Sequence, residues 1–174
     1  MEASNEELAS RMLQGLLQVC QESETGLRCA AGRCQKQGLK DFLAAEALQR
    51  SVYIAELELE LRKLSCGTSR KPEPAKLPGW DELRRLQPLA CDDGTVLLLC
   101  EQGQKATLEH YLKILQTDLP VAALQLVERQ HAQQMEAYDR LCQVHQLRQG
   151  EGKPGWDHSR DETALLSPGR EYKR

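Results

Sequence analysis

Glu128 and His131 stand three residues apart in a segment whose apolar spacing predicts a long helix. Residues three apart lie on the same face of a helix, so both side chains could reach one metal ion. In carboxylate-bridged di-iron bundles, two helices each supply such a Glu-x-x-His pair and the other two each supply a glutamate. The question is therefore whether the sequence also holds the other ligands.

The positions that would complete this ligand set lie in three other segments with helical periodicity. Each segment carries an apolar stripe, and each stripe is interrupted by polar residues. The interruptions are Glu24 in the first segment, Glu46 with Gln49 in the second, and Gln104 in the third. Gln104 lacks the charge of a bridging carboxylate, Gln49 lacks an imidazole nitrogen, and an amide oxygen is a weak ligand for iron. The di-iron set is thus incomplete.

Three interpretations of these polar positions remain open. In the first, Glu24, Glu46, Glu128 and His131 hold one iron or manganese ion. In the second, which the sequence favours, Arg50 supplies the countercharge for a buried carboxylate, and a hydrogen-bonded polar layer fixes the helix register. In the third, the side chains of the fourth segment point partly to solvent and form no site.

Four long helices are predicted to position these residues. They run from the start of the chain to Cys34, from Leu39 to Leu64, from about Val96 to Gln116, and from Pro120 to about residue 149. Short first and third connections predict two antiparallel hairpins. The link at 66–94 is long enough to cross the length of a helix, and "WDELRRLQPLA" within it predicts a short extra helix over one side of the bundle.

The apolar stripes also predict which side chains face the core. In the second helix these include Glu46, Gln49 and Tyr53, and in the fourth helix Val127, His131, Met135 and Tyr138. The other three histidines share no face with a carboxylate or cysteine at ligand spacing, and are predicted to lie on the surface. They are His110, His145 and His158.

Composition narrows the class of protein. The 174 residues suit one domain, and the low aromatic content of 4% with few β-branched residues indicates an all-α chain. A net charge of −3 with interleaved signs does not suit nucleic-acid binding. No apolar run approaches the roughly 20 residues that span a membrane, and the polar start does not resemble a secretory signal, so we expect a cytoplasmic protein.

The nucleophilic residues form no recognised catalytic motif. The seven cysteines include no Cys-x-x-Cys pair, and several fall on apolar helical positions, so we expect reduced, buried thiols. The sequence contains no Gly-x-Ser-x-Gly elbow and no glycine-rich phosphate loop. Hydrolase and nucleotide-binding functions are therefore not expected.

Five strings of the sequence together resemble a known family. They are "LLQVCQESETGLRCAA", "ALQRSVYIAELELELRKL", "LPGWDELRR", "LLLCEQGQKATLEHYLKILQTDLP" and "LVERQHAQQMEAYDRL". In order and spacing they look like an uncharacterised bacterial family of ferritin-like four-helix bundles, a domain of unknown function related in shape to rubrerythrins. The resemblance covers about residues 8–148 and implies this fold, a cytoplasmic setting and no assigned activity. The family usually has Glu at the Gln104 position and His at the Tyr138 position, so the resemblance does not imply an intact metal site.

We therefore expect a ferritin-like four-helix bundle over 5–149, with the linker and its short helix at 66–94 and a flexible tail at 150–174. The expected role is that of a non-enzymatic, stress-related or interaction protein with a degenerate metal site and no required cofactor. It would have no nucleic-acid or membrane partner, and it could associate with itself as a homo-oligomer. The alternative is an iron- or manganese-binding oxidoreductase-type bundle that uses Glu24, Glu46, Glu128 and His131.

Overall fold

The fold consists of five helices in a computed structural model, which describes residues 2–64, 76–86 and 91–151. The helices are α1 (Glu2–Arg33), α2 (Gln37–Lys63), α3 (Trp80–Arg85), α4 (Asp93–Leu115) and α5 (Val121–Glu151). These three described stretches contain no strand, which confirms the all-α prediction. No helix within them is long and apolar enough to cross a membrane. The predicted tail lies outside the described residues from 152 onward, as does part of the predicted linker.

Contacts at the two ends of the molecule define the directions of the four long helices. At one end, the Asp93 carboxylate at the start of α4 accepts hydrogen bonds from the backbone N–H of Gln35 at 2.7 Å and of Lys36 at 3.4 Å. At the other end, the Asn5 amide reaches Asp118, just after α4, at 3.5 Å. Helices α1 and α5 therefore run in one direction, and α2 and α4 run in the opposite direction.

The packing of the helices follows from these directions. Helix α1 packs against α2 and α4, and α5 packs against α4 and α2. The chain leaves α2 at one end and enters α4 at the other, so the connection between them spans the length of α2. With 27 residues at 1.5 Å per residue, that length is about 40 Å.

The short helix α3 closes one side of the molecule by inserting Trp80 between α1 and α4. Trp80 is fully buried, and its indole N–H donates to the Thr107 hydroxyl at 3.1 Å. Gly26 on α1 and Gly103 on α4 lie directly against the indole ring, so a Cβ atom at either position would clash with it. Gly79 precedes α3 with a φ of 87°, a left-handed conformation that glycine adopts without strain. A short helix therefore lies within the predicted linker range and packs against α1 and α4.

The buried apolar residues form two clusters, one toward each end. The first surrounds Trp80 and includes Leu27, Leu43, Leu97 and Leu141. The second includes Leu13, Leu57, Tyr111 and Val127. Among the buried polar residues, four lie at intermediate positions along the helices: Ser23, Arg50, Gln104 and Gln134.

Some predicted core positions are wrong by about one residue. On α2 the buried position is Arg50, and the neighbouring Gln49 is exposed. Between residues 127 and 141 of α5 the buried positions are Val127, Gln130, Gln134, Ala137 and Leu141, whereas His131 and Tyr138 are half-buried and Met135 is 40% exposed. One residue is a rotation of 100° on a helix. The prediction followed the larger apolar side chains, whereas the packing also buries the amides of Gln130 and Gln134 and the small side chain of Ala137.

The start of α4 also differs from the prediction. The helix begins at Asp93 rather than near Val96, because Asp92 caps it: its carboxylate accepts a hydrogen bond from the Thr95 N–H at 2.8 Å. Asp93 follows in the first turn, where the helix dipole favours a negative charge. The predicted linker therefore ends two residues earlier than expected.

Candidate functional site

The central polar position of the molecule is occupied by the guanidinium group of Arg50. The side chain is 1% exposed, and it follows Leu43 and Ala47 along the buried stripe of α2. One terminal nitrogen donates to Gln104 Oε1 at 3.1 Å, and the other pairs with Glu46 Oε2 at 3.5 Å. The ring centroid of Tyr53 lies 5.6 Å from the guanidinium carbon, within range of a cation–π contact. A charged group is therefore held inside the protein by one carboxylate, one amide and one aromatic ring.

Burial lowers the pKa of the Arg50 guanidinium, and the Glu46 carboxylate opposes that shift. An arginine remains protonated in proteins because its ordinary pKa is so high. The centre of the molecule consequently carries a fixed positive charge at any physiological pH.

Two glutamine side chains extend this layer across α4 and α5. The Gln104 amide N–H donates to the side-chain oxygen of Gln134 and lies 3.4 Å from its backbone oxygen. Gln104 is 2% exposed, and Gln134 is fully buried. Arg50, Gln104 and Gln134 thus join α2, α4 and α5 in one hydrogen-bonded row, which we call the Arg50 layer.

A second row of hydrogen bonds involves all four long helices. The Tyr111 hydroxyl donates to Gln130 Oε1 at 3.0 Å, and the Gln130 amide donates to Glu56 Oε2 at 2.8 Å. Cys20 Sγ lies 3.1 Å from the same hydroxyl oxygen. Because that hydroxyl has one hydrogen and gives it to Gln130, the Cys20 thiol is the donor in this contact. Burial raises the pKa of Cys20 to about 11, so the thiol stays protonated at neutral pH. It is therefore a structural donor and not a reactive thiolate.

The two glutamates predicted as ligands on α1 and α2 are both paired with arginines. Glu24 Oε1 accepts from Arg28 at 2.7 Å and from the Ser51 hydroxyl at 2.8 Å. Burial acts to raise the pKa of Glu24, but these hydrogen bonds outweigh it and the net shift is downward. Glu46 pairs with Arg50 through one oxygen and with Arg140 through the other, the latter at 2.8 Å. Arginine partners thus occupy both carboxylates.

The other two predicted ligands lie on α5. Glu128 is exposed to solvent. His131 is half-buried, its ring centroid is 6.3 Å from that of Tyr111, and burial lowers its pKa. Its Nε2 atom is buried without a hydrogen-bond partner among the described residues. The Glu-x-x-His pair that first suggested a metal site therefore divides, with the carboxylate in solvent and the imidazole turned partly inward.

These donors do not fit a di-iron centre. In the parts of the chain that the structure describes, no three His, Cys, Asp or Glu side chains are grouped to hold a metal ion. The inward positions of α2, α4 and α5 supply a cation and two amides, which are poor partners for a divalent metal. The predicted countercharge role of Arg50 toward Glu46 is present, and the buried layer also includes Gln134, which the sequence did not single out.

A second buried polar group lies near the end of α5 and corrects one prediction. His145, predicted to be on the surface, is 8% exposed. Its Nδ1 atom lies 2.8 Å from Glu101 Oε1, and its Nε2 atom lies 3.2 Å from the Gln149 amide. One turn away, Arg148 pairs with Asp93 at 3.0 Å. These contacts fix the end of α5 to α4. The partners lie on the facing helix, so the spacing of residues within α5 does not predict them.

The remaining histidines and cysteines offer no further ligand set. His110 is half-buried beside a surface depression that Lys76, Lys105 and Lys113 also line, and burial lowers its pKa. His158 and Cys66 lie outside the described residues. The six described cysteines are all free; four of them are buried, and Cys29 and Cys142 are half-buried.

The chain was also compared with known proteins. No model of a protein family matches it. No curated protein is significantly similar to it.

Proposed function

We propose that this chain is a ferritin-like four-helix bundle that acts as a stress-related or interaction protein and not as an enzyme. Two antiparallel hairpins, α1 with α2 and α4 with α5, support the fold assignment. The parallel directions of α2 and α4 require a crossover along the bundle, which is the ferritin-like connection. An up-down-up-down bundle would instead join these two helices by a short turn.

The observation that carries the functional proposal is the position of Arg50. In a di-iron bundle the middle of the inward helix faces supplies carboxylates, whose negative charges offset those of the metal ions. Here the same height holds a buried guanidinium that already uses Glu46. A divalent ion beside it would meet a positive charge in a region of low dielectric constant, which is strongly unfavourable. The Arg50 layer therefore fixes helix register and replaces metal chemistry.

One observation favours the alternative, an iron- or manganese-binding oxidoreductase-type bundle. The buried Nε2 atom of His131 has no hydrogen-bond partner among the described residues. A neutral imidazole nitrogen without a partner is a suitable metal ligand. Together with Glu24, Glu46 and Glu128 it would have to gather around one ion, and this requires Glu46 to release an arginine.

Elemental analysis separates the two candidates. The protein is purified without chelator, and iron and manganese are measured per chain for the wild type, Glu46→Ala and His131→Ala, with Glu109→Ala as a control at an exposed position. We expect far less than one ion per chain in all four proteins. One iron or manganese per chain in the wild type and the control, lost in both other variants, would overturn the proposal in favour of the alternative.

The cellular setting is also a proposal. Six described cysteines are free, and four of them are buried in the core. Reduced thiols in this number are typical of proteins in a reducing compartment. We therefore propose a cytoplasmic location.

A further inference from the structure

Helix α2 carries apolar residues on two opposite faces. Its inward face packs against α1 and α5, as described above. Seven residues of its outward face are all exposed, and they recur at intervals of three and four: Asp41, Ala44, Leu48, Val52, Ala55, Leu59 and Arg62. We call this row the outer seam. Its three large side chains, Leu48, Val52 and Leu59, are 64%, 46% and 54% exposed. A continuous row of apolar side chains on an exposed helix face is typical of a surface that binds a partner.

Other exposed apolar residues are not arranged in this way. On α4, Leu98 and Leu112 are 45% and 47% exposed. The residues between them on the same face are charged or amide side chains, namely Gln102, Lys105 and Glu109. A single exposed leucine on a polar face is ordinary in soluble proteins. The continuous apolar row on α2 is therefore a different kind of surface.

The outer seam is complementary to itself. If a second α2 lies antiparallel to the first, with a two-fold axis between residues 51 and 52, Leu48 faces Ala55 and Ala44 faces Leu59. Each leucine then meets an alanine, and the two copies of Val52 lie next to the axis. At both ends of the row Asp41 faces Arg62, so opposite charges pair. Because the axis is two-fold, every contact occurs twice, as in the self-complementary interfaces of symmetric dimers.

We infer that the partner of the outer seam is a second copy of this chain, bound antiparallel along α2. The match of size and charge around one axis is what favours a second copy over an unrelated protein. Arg62 has only a loose partner within its own chain, Glu58 at 3.9 Å, and is 75% exposed, so it is available for a partner. This inference rests on the proposed interaction role, because it identifies the partner in that interaction. A contact between single helices is small, so the dimer belongs to the weak and reversible class.

Sedimentation of the full chain over a range of concentrations tests this inference. We expect a reversible equilibrium between monomer and dimer. Leu48→Glu should weaken dimerisation at least about tenfold, because two buried carboxylates would lie in the seam. The matched control is Leu112→Glu, an exposed leucine on α4, which should leave the equilibrium unchanged. Circular dichroism checks that both variants fold, and Leu48→Gln replaces the first if it does not.

Charge exchange tests the antiparallel register. Asp41→Arg alone and Arg62→Asp alone each place like charges opposite each other and should weaken dimerisation several-fold. The double variant, Asp41→Arg with Arg62→Asp, restores opposite charges and should recover the wild-type equilibrium. A monomer at every concentration, equal effects of Leu48→Glu and Leu112→Glu, or no recovery in the double variant would overturn the inference. If the chain proves to be monomeric, the proposal that the Arg50 layer replaces a metal site still stands, because the metal content tests it separately.

Discussion

The Trp80 region and the Arg50 layer use opposite means to hold the same helices together. Around Trp80, the large ring is fully buried against two glycines, and its N–H has a partner in Thr107. Around Arg50, a charge and two amides are buried, and Arg50 Nε and Gln134 Nε2 have no hydrogen-bond partner among the described residues. The first region gains stability from apolar burial, whereas in the second the removal of polar groups from water costs free energy.

The difference suggests a division of roles. Burial of apolar surface stabilises a fold without specifying which faces meet, because it is not directional. A buried polar layer contributes little net stability but is strongly unfavourable in any other register, since its groups would lose their partners. We therefore expect the Trp80 region to determine how stable the protein is, and the Arg50 layer to determine how α2, α4 and α5 align.

The largest expected effect is that of Trp80→Ala. Removing a fully buried tryptophan leaves a cavity between Gly26 and Gly103 and the Thr107 hydroxyl without its donor, so the free energy of unfolding should fall by about 3–5 kcal/mol. Chemical denaturation followed by circular dichroism measures it. Leu112→Ala, which removes an exposed side chain on α4, is the comparison and should change stability little. A loss below about 1 kcal/mol for Trp80→Ala would contradict the role given to this region.

A smaller effect is expected in the Arg50 layer. Arg50→Met leaves the buried Gln104 oxygen without its donor and should cost about 1–3 kcal/mol. The triple variant Arg50→Met, Gln104→Met and Gln134→Met removes all members of the layer, and replacing every partner by an apolar group should recover most of this loss. Glu46 keeps Arg140 in both variants.

The same triple variant tests register. If the layer aligns the helices, amide signals of α5 in a two-dimensional NMR spectrum should broaden or double in the triple variant, although its stability is close to that of the wild type. The Trp80→Ala variant should keep one sharp set of signals under conditions where it is folded. A triple variant that loses as much stability as Trp80→Ala would show that the layer is stabilising and would remove the distinction between the two regions.

The sequence predicted these two regions to different extents. The short helix that begins at Trp80 was expected to cover one side of the bundle, but the two glycines against which the ring packs were not identified. Gln104 was correctly placed inward by the spacing of Cys100, Leu108 and Tyr111. Arg50 was expected beside the seam as a countercharge, and it lies in the seam itself. A fully buried arginine is rare, and it depends here on an amide that is 54 residues away in the chain.

The α5 residues show what spacing alone cannot decide. The pattern His131, Met135 and Tyr138 and the pattern Gln130, Gln134 and Ala137 have the same helical period and differ only by a rotation. Apolar size favours the first, but the second provides the two amides that pair with Tyr111 and Gln104. The choice is made by residues on α4, as is the burial of His145 against Glu101. This information lies in contacts between helices, so the spacing of residues within one helix does not reveal it.

The smallest expected effect concerns pH and the half-buried His131 beside the second hydrogen-bonded row. Burial lowers the pKa of this imidazole below the 6.5 of the free side chain, so the unfolded chain takes up a proton at a higher pH than the folded chain. The stability contributed by neutral His131 is therefore present above about pH 6.5 and is lost as pH falls toward the folded pKa. His131→Gln should reduce the fall in unfolding free energy between pH 7.5 and about pH 5.

His110, whose pKa burial also lowers, contributes in the same direction, so His110→Gln provides the matched comparison. The two variants together should flatten the profile more than either alone, because the two histidines titrate at separate positions. A profile that steepens in His131→Gln would mean that the folded protein prefers the charged imidazole, and the ring would then lie in the influence of a carboxylate and not in the apolar surroundings of Tyr111.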